Sequence, residues 1–293
     1  MQRLAFHIVY PLLKLISILP FKLLYLLSDI VFVLMYTIFG YRKKVVRANL
    51  KLAFPEKTTK ERNKIMRAFY RHLCDLIFEA IKSIHISEEK LKKRFKFENI
   101  EMIRDIENQN KSIVLMLSHY GNWEWIFIMQ SFIKSRGYGV YKRLRNKHFD
   151  KLVRDIRAKF NTDLITTKET IEILTKSKLN NELSISGFIS DQSPKPQKAY
   201  HWNEFMGVYV PVHTGAELLA KKFDSTVVFA AIDKVKRGHY VCRFETLASD
   251  PSEFDDYEIT DQFLKLTEDQ IKKKPEYYLW THKRWKHRKK REI

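Results

Sequence analysis

The chain has 293 residues, 45% of them hydrophobic, and 54 Lys and Arg against 34 Asp and Glu, a formal charge of +20. That length and apolar content suffice for one large domain or two modest ones, and the charge predicts an anionic partner: nucleic acid, a lipid surface or an acidic protein. Two distant cysteines without a CxxC argue against a disulfide framework or a cysteine-rich zinc site, and neither GxGxxG nor GxxxxGK[ST] occurs among the eight glycines.

Residues 4–40 are strongly apolar, interrupted by Lys14, Lys22 and Asp29. Leu23–Tyr41 is long enough to cross a bilayer at about 20 residues per span, although it carries Asp29. No small-residue cleavage site follows, so a cleaved signal peptide is not expected. Arg42, Lys43, Lys44 and Arg47 come next and suit an anionic cytoplasmic leaflet. Two membrane modes stay open, a single span or paired helices lying partly in one leaflet; the alternative is a core hairpin of a soluble protein. Residues 1–41 are thus read as an anchor, 42–105 as a helical lead-in and 106–293 as an α/β core.

Thr58 and Glu61 have capping-box spacing, and Ile65, Phe69, Leu73, Leu76, Ala80 and Ile84 follow at helical intervals. The opposite face carries Arg62, Lys64, Arg67 and Arg71. The apolar run up to Leu117 predicts a buried strand, and residues 123–132 a helix. Helices are expected over 150–160, 167–178, 212–223 and 259–273, and strands over 183–190, 225–233 and 239–246. This alternation predicts an α/β fold with a mainly parallel central sheet flanked by helices.

The segment Ser118-His119-Tyr120-Gly121-Asn122-Trp123-Glu124-Trp125 sits where the apolar strand ends and a helix begins, the edge at which open α/β sheets build their sites. On one continuous helix His119 and Glu124 would lie about 140° apart. With His119 at the strand end, Gly121 turning the chain and Asn122 as N-cap, Glu124 falls in the first turn and can face back. An alcohol needs a base to attack a carbonyl at neutral pH; a neutral imidazole supplies it, and a carboxylate on the other ring nitrogen fixes the tautomer. The alternative is a structural histidine at a strand end. No GxSxG serine is present. A thioester donor is already activated, so neither a covalent intermediate nor a metal or other cofactor is required.

His119-Tyr-Gly-Asn-Trp-Glu124 resembles the HX4(D/E) motif of the bacterial lipid A biosynthesis acyltransferases, of lauroyl/myristoyl transferase type. Arg47-Ala-Asn49-Leu50 with Phe54-Pro55 is similar to an early block of that family, and Tyr141-Lys-Arg143-Leu-Arg-Asn146 with Phe149-Asp150 to a second, with departures at Arg145 and at Lys147-His148. Asp191-Gln192, with Phe205-Met-Gly207 and Thr214-Gly215, resembles a third, and Trp280-Thr-His282-Lys-Arg284-Trp the closing signature. The resemblance implies a glycerolipid-acyltransferase-like fold and transfer of a fatty acyl chain from acyl carrier protein to a lipid A precursor, at the cytoplasmic face of the inner membrane. It implies His119 and Glu124 as catalytic residues, and Arg143 and Asn146 as substrate-binding residues.

Asn122, Asp191 and Gln192 are further candidates for substrate binding. Arg143 and Arg145 are suited to a phosphate of acceptor or donor, or are simply solvated. Asp191 and Gln192 end a strand and line the crevice or cap a turn. Trp123 and Trp125 wall an acyl tunnel or pack the core. Residues 283–293, with seven Lys and Arg, are read as attracted to anionic lipid. His282 and His287 have no carboxylate partner nearby in sequence and are not read as metal ligands. Alternatives are the same chemistry on an aminoacyl lipid or glycolipid, acyl-CoA as donor, or a non-catalytic basic membrane-surface protein. Nucleic acid is disfavoured, since no nucleic-acid motif appears.

Overall fold

A computed structural model describes residues 2–290. In chain order come helices α1 (Gln2–Ile18), α2 (Phe21–Val33), α3 (Lys43–Ala53), α4 (Thr59–Lys82) and α5 (Glu88–Lys92), strand β1 (Phe95–Phe97) and helix α6 (Ile100–Asn108). Then come β2 (Ile113–Leu117), β3 (Arg136–Tyr141), α7 (Lys147–Arg157), β4 (Thr162–Thr166), α8 (Thr170–Leu179) and β5 (Ser184–Ile189). The chain ends with β6 (His201–Phe205), β7 (Val208–Val212), α9 (Gly215–Phe223), β8 (Thr226–Lys236), β9 (His239–Ala248) and α10 (Glu258–Lys273).

Seven strands form one sheet in the order β1-β9-β8-β2-β5-β3-β4, parallel throughout except for the β8–β9 hairpin. The expected α/β fold with a mainly parallel sheet is therefore present. Its centre is β2, buried at all five positions, as a strand covered on both faces must be. The sheet starts earlier than residue 106, because β1 pairs with β9 from within the helical lead-in. Strands β3, β4, β6 and β7 were absent from the sequence expectations. β3 carries two glycines in six residues, which dilutes any strand pattern, and β6–β7 is a separate hairpin turned by Met206 and Gly207, both at positive φ.

Helix α4 forms as the sequence predicts: Thr58 and Glu61 close the reciprocal capping box, and Phe69 and Leu76 are buried. Its polar residues hold the surprise, because His72, Asp75 and Glu79 are buried too. They face the β8–β9 hairpin and α2 in a connected ionic cluster. Arg237 makes bonds of 2.7–3.1 Å to Asp75 and pairs with Asp29 at 2.8 Å, Lys234 reaches Asp75 at 3.3 Å, and Tyr25 and Tyr240 both donate to Glu79 at 2.8 Å. Burial pushes the Glu79 carboxyl up to about 7, against the pull of Lys234.

Candidate active site

Strands β2 and β5 are parallel neighbours with Leu117 opposite Ile189. Two residues beyond each lie His119 and Asp191, so the register alone brings these side chains to the same point on the carboxyl edge of the sheet. His119 Nδ1 and Asp191 Oδ1 are 2.7 Å apart. Asp191 is buried, whereas the His119 side chain keeps 18% of its surface exposed. Burial alone would raise the Asp191 carboxyl, but the facing imidazole, its hydrogen bonds and the Arg284 guanidinium hold it below the usual carboxylate range. An ionised Asp191 accepts from Nδ1–H, which leaves His119 Nε2 with a free lone pair. The Gln192 amide nitrogen lies 3.3 Å from that Nε2, consistent with donation to it.

The turn after His119 is built as the sequence expects. Gly121 sits at φ +62°, and a Cβ there would come within 2.8 Å of both the Ile232 side chain and its carbonyl, so the position requires glycine on two counts. Asn122 caps the following helix by accepting from Trp125 N–H at 3.2 Å. Its amide donates to Glu79 at 2.7 Å, and His72 Nε2–H donates to the Gly121 carbonyl at 3.1 Å. Asn122 is buried by these scaffold bonds and faces the protein interior, in contrast to the substrate-binding role expected for it.

Glu124 sits differently from the expectation. The helix Trp123–Ser131 is of 3-10 type, and its first residue, Trp123, stands edge-on to His119 with ring centroids 5.1 Å apart. The Trp123 indole N–H donates to Glu124 at 3.1 Å. Arg157, at the end of α7, grips both Glu124 oxygens at 3.0 and 2.7 Å. Asp191, rather than Glu124, therefore occupies the place on the imidazole that the sequence reading gave to Glu124. Burial opposes charge on Arg157, and Glu124 more than compensates, raising its pKa.

The 3-10 helix also roofs an apolar cleft. With three residues per turn, Trp123, Ile126 and Met129 fall in one row, and all three line it. The floor comes from alternate residues of three adjacent strands: Leu115 and Leu117 of β2, Ile185, Gly187 and Ile189 of β5, Gly137 and Gly139 of β3. Leu115, Gly187 and Gly139 lie in register across the sheet, so two missing side chains cut a trough. It starts at Leu117 and Ile189, next to His119 and Asp191, and runs back along the strands. The cavity measures about 70 Å³, far below the roughly 300–1,000 Å³ of a preformed ligand pocket, so it is a narrow trough rather than an open chamber.

The closing segment folds behind the site. The Asn49 amide donates to the carbonyls of Trp280 and His282 at 2.9 and 2.7 Å, joining the first and last blocks of the sequence. Arg284 and Trp285 are buried, so the basic C-terminal stretch begins as part of the core; residues 291–293 lie outside the described residues. Burial depresses His282 to about 4, and its Nε2 is without a hydrogen-bond partner. Arg143 pairs with Glu169 at the surface, and Asn146 caps α7 by accepting from His148 and Phe149 N–H. Among the described residues there is no grouping of three or more His, Cys, Asp or Glu able to hold a metal. The sequence reading missed Arg157, Glu79 and His72, and it gave Asp191 a different role; the strand register was the signal for Asp191.

The sheet, the His119–Asp191 pair at its carboxyl edge and the adjoining apolar trough define an α/β protein with a histidine–carboxylate pair beside an apolar cleft. Residues 1–287 match the bacterial lipid A biosynthesis acyltransferase family, and the chain belongs to it. It is an acyltransferase. Among its relatives are the lipid A biosynthesis lauroyltransferase of Escherichia coli K12, 25% identical over 250 residues (84% of this chain, 80% of the relative), and the lipid A biosynthesis acyltransferase of Haemophilus influenzae, 25% identical over 249 residues (84% and 78%).

Proposed function

We propose that this enzyme moves a fatty acyl chain from an acyl thioester, carried by acyl carrier protein, to a hydroxyl of a lipid A precursor, working at the cytoplasmic face of the inner membrane. His119 Nε2 takes the proton from the acceptor hydroxyl as the oxygen attacks the thioester carbonyl. Asp191 holds the ring in the Nδ1–H tautomer and stabilises the imidazolium that forms. When the tetrahedral intermediate collapses, the imidazolium returns its proton to the departing thiolate. Gln192 occupies the side of Nε2 where the hydroxyl must sit, and yields to it. Glu124 is retained as a site residue: through Arg157 and Trp123 it fixes the mouth of the trough, which takes the acyl chain.

The observation that carries this reading is a histidine–aspartate pair and an apolar trough sharing the same two strand ends. The chain's net charge of +20 suits an acidic carrier protein, mainly through steering. Purified enzyme given a phosphorylated lipid A precursor and either acyl carrier protein or CoA thioesters tests donor and acceptor together. Transfer from the carrier protein, abolished by His119→Ala, is the expected result. Transfer that survives His119→Ala removes the base, and a preference for CoA removes the carrier protein.

A further inference from the structure

The N-terminal hairpin is fastened to the catalytic body along its whole length. Phe6 of α1 packs against His148 and Phe149 at 5.3 Å, and at the other end Lys82 donates to the Ser17 and Leu19 carbonyls at 2.8 and 2.7 Å. On α2, Tyr25 bonds Glu79, Ser28 bonds Asp75 at 2.8 Å, and Asp29 pairs with Arg237. The π-helical continuation Leu34–Phe39 brings Tyr36 to 5.4 Å from Tyr70. Yet only 17% of the apolar stretch Phe21–Phe39 is buried, too little for a core helix. Leu12, Leu15, Leu26, Ile30, Ile38 and Phe39 all point outward.

A helix standing across a bilayer would drag its bonded partners Asp75, Glu79 and Arg237 into hydrocarbon, where each charge is costly. We infer that α1, α2 and the π-helical turn lie in the plane of one leaflet, with their outward apolar side chains immersed and the catalytic body resting on them. The flank has the matching charge. Lys60, Lys64, Arg67 and Arg71 are exposed on one stripe of α4 and line a cleft shared with Tyr36. None of the four forms an ion pair among the described residues. The Arg71 guanidinium lies over the Phe32 ring at 5.3 Å and the Lys43 ammonium over Tyr36 at 3.9 Å, which holds both cations on the same flank as the outward apolar side chains. The occupant of this face is an anionic phospholipid leaflet. The inference rests on the membrane attachment in the proposed function, and not on the catalytic chemistry.

Spin labels at Leu12, Leu26, Ile30 and Ile38 on vesicles containing phosphatidylglycerol test it. In-plane seating predicts one shared depth, roughly 5–10 Å below the phosphates. A span predicts depths that differ by about 18 Å between positions 26 and 38, at 1.5 Å per residue, and that result overturns the inference. The pair Lys64→Glu with Arg67→Glu is expected to weaken binding to these vesicles roughly tenfold or more, and to leave binding to neutral phosphatidylcholine unchanged. Equal affinities of variant and parent for the anionic vesicles overturn the headgroup role. Failure of the parent protein to bind any vesicle sinks membrane attachment itself, and leaves the chemistry of His119 to its own assay.

Discussion

Two histidines flank the same turn, and only one is placed to react. His119 stands at the open edge of the sheet, faces an anion and keeps a lone pair beside an apolar trough. His72 lies behind the turn, buried, with Nε2–H spent on the Gly121 carbonyl and Nδ1 accepting from Lys234 at 3.2 Å. Burial and the nearby ammonium push the His72 pKa far down, so it is a neutral clamp. Residue type is shared; access and the sign of the neighbouring charge separate the histidine proposed as the base from a strut.

The contrast is broken most severely by His119→Ala, expected to lower kcat by about 10³-fold, within the range general-base catalysis supplies, with a modest accompanying loss of stability because the buried Asp191 carboxylate loses its ring partner. Asp191→Asn comes next, at roughly 10²-fold in kcat with little change in KM, because it loosens tautomer control and leaves the hydroxyl site in place. Glu124→Gln is expected to cost about tenfold, with a larger share in KM for the acyl donor, since Arg157 at the trough loses its counter-charge. His72→Ala should act the other way round, with a loss of roughly 1–3 kcal/mol of stability from the unpaired Gly121 carbonyl and Lys234, measured by denaturant unfolding. Gly187→Ala sharpens the account of the trough: a Cβ there meets only the Tyr138 carbonyl, at 3.8 Å, so the added methyl is accommodated and raises the floor. Shorter acyl chains should then be preferred in competition assays.

The smallest effects concern pH. His282 has its folded pKa depressed to about 4, so its contribution to stability is present above its usual value near 6.5 and is lost as pH falls through 4. Glu79 has the opposite sign. Its folded pKa is raised to about 7, so its contribution is present below about 4.5 and disappears as pH rises through 7. Glu79→Gln should flatten the decline over that second window in unfolding curves measured across pH.

Much of the candidate site's local frame was legible in one dimension: strand, turn, cap and the proposed base occupy residues 113–125, and each has its own chemical signature. The capping box of α4 was legible for the same reason. Asp191 as the ring partner was not, because it depends on β2 and β5 being neighbours, and their pairing is set by a fold rather than by a spacing. Arg157 arrives from the end of α7, and nothing in the sequence near Glu124 announces it. The buried cluster of His72, Asp75 and Glu79 on α4 was not legible, because only the β8–β9 hairpin and α2 bury these polar residues. Strand β3 was hidden by the glycines that shape the trough.

The protonation of the His119 ring is the most direct test of the central claim. With ¹⁵N-labelled histidine, the account predicts that the neutral form of the ring carries its proton at Nδ1, with Nε2 bare, and a mixed tautomer in Asp191→Asn. A ring protonated at Nε2 in the parent enzyme, or one indifferent to the Asp191 substitution, would contradict it.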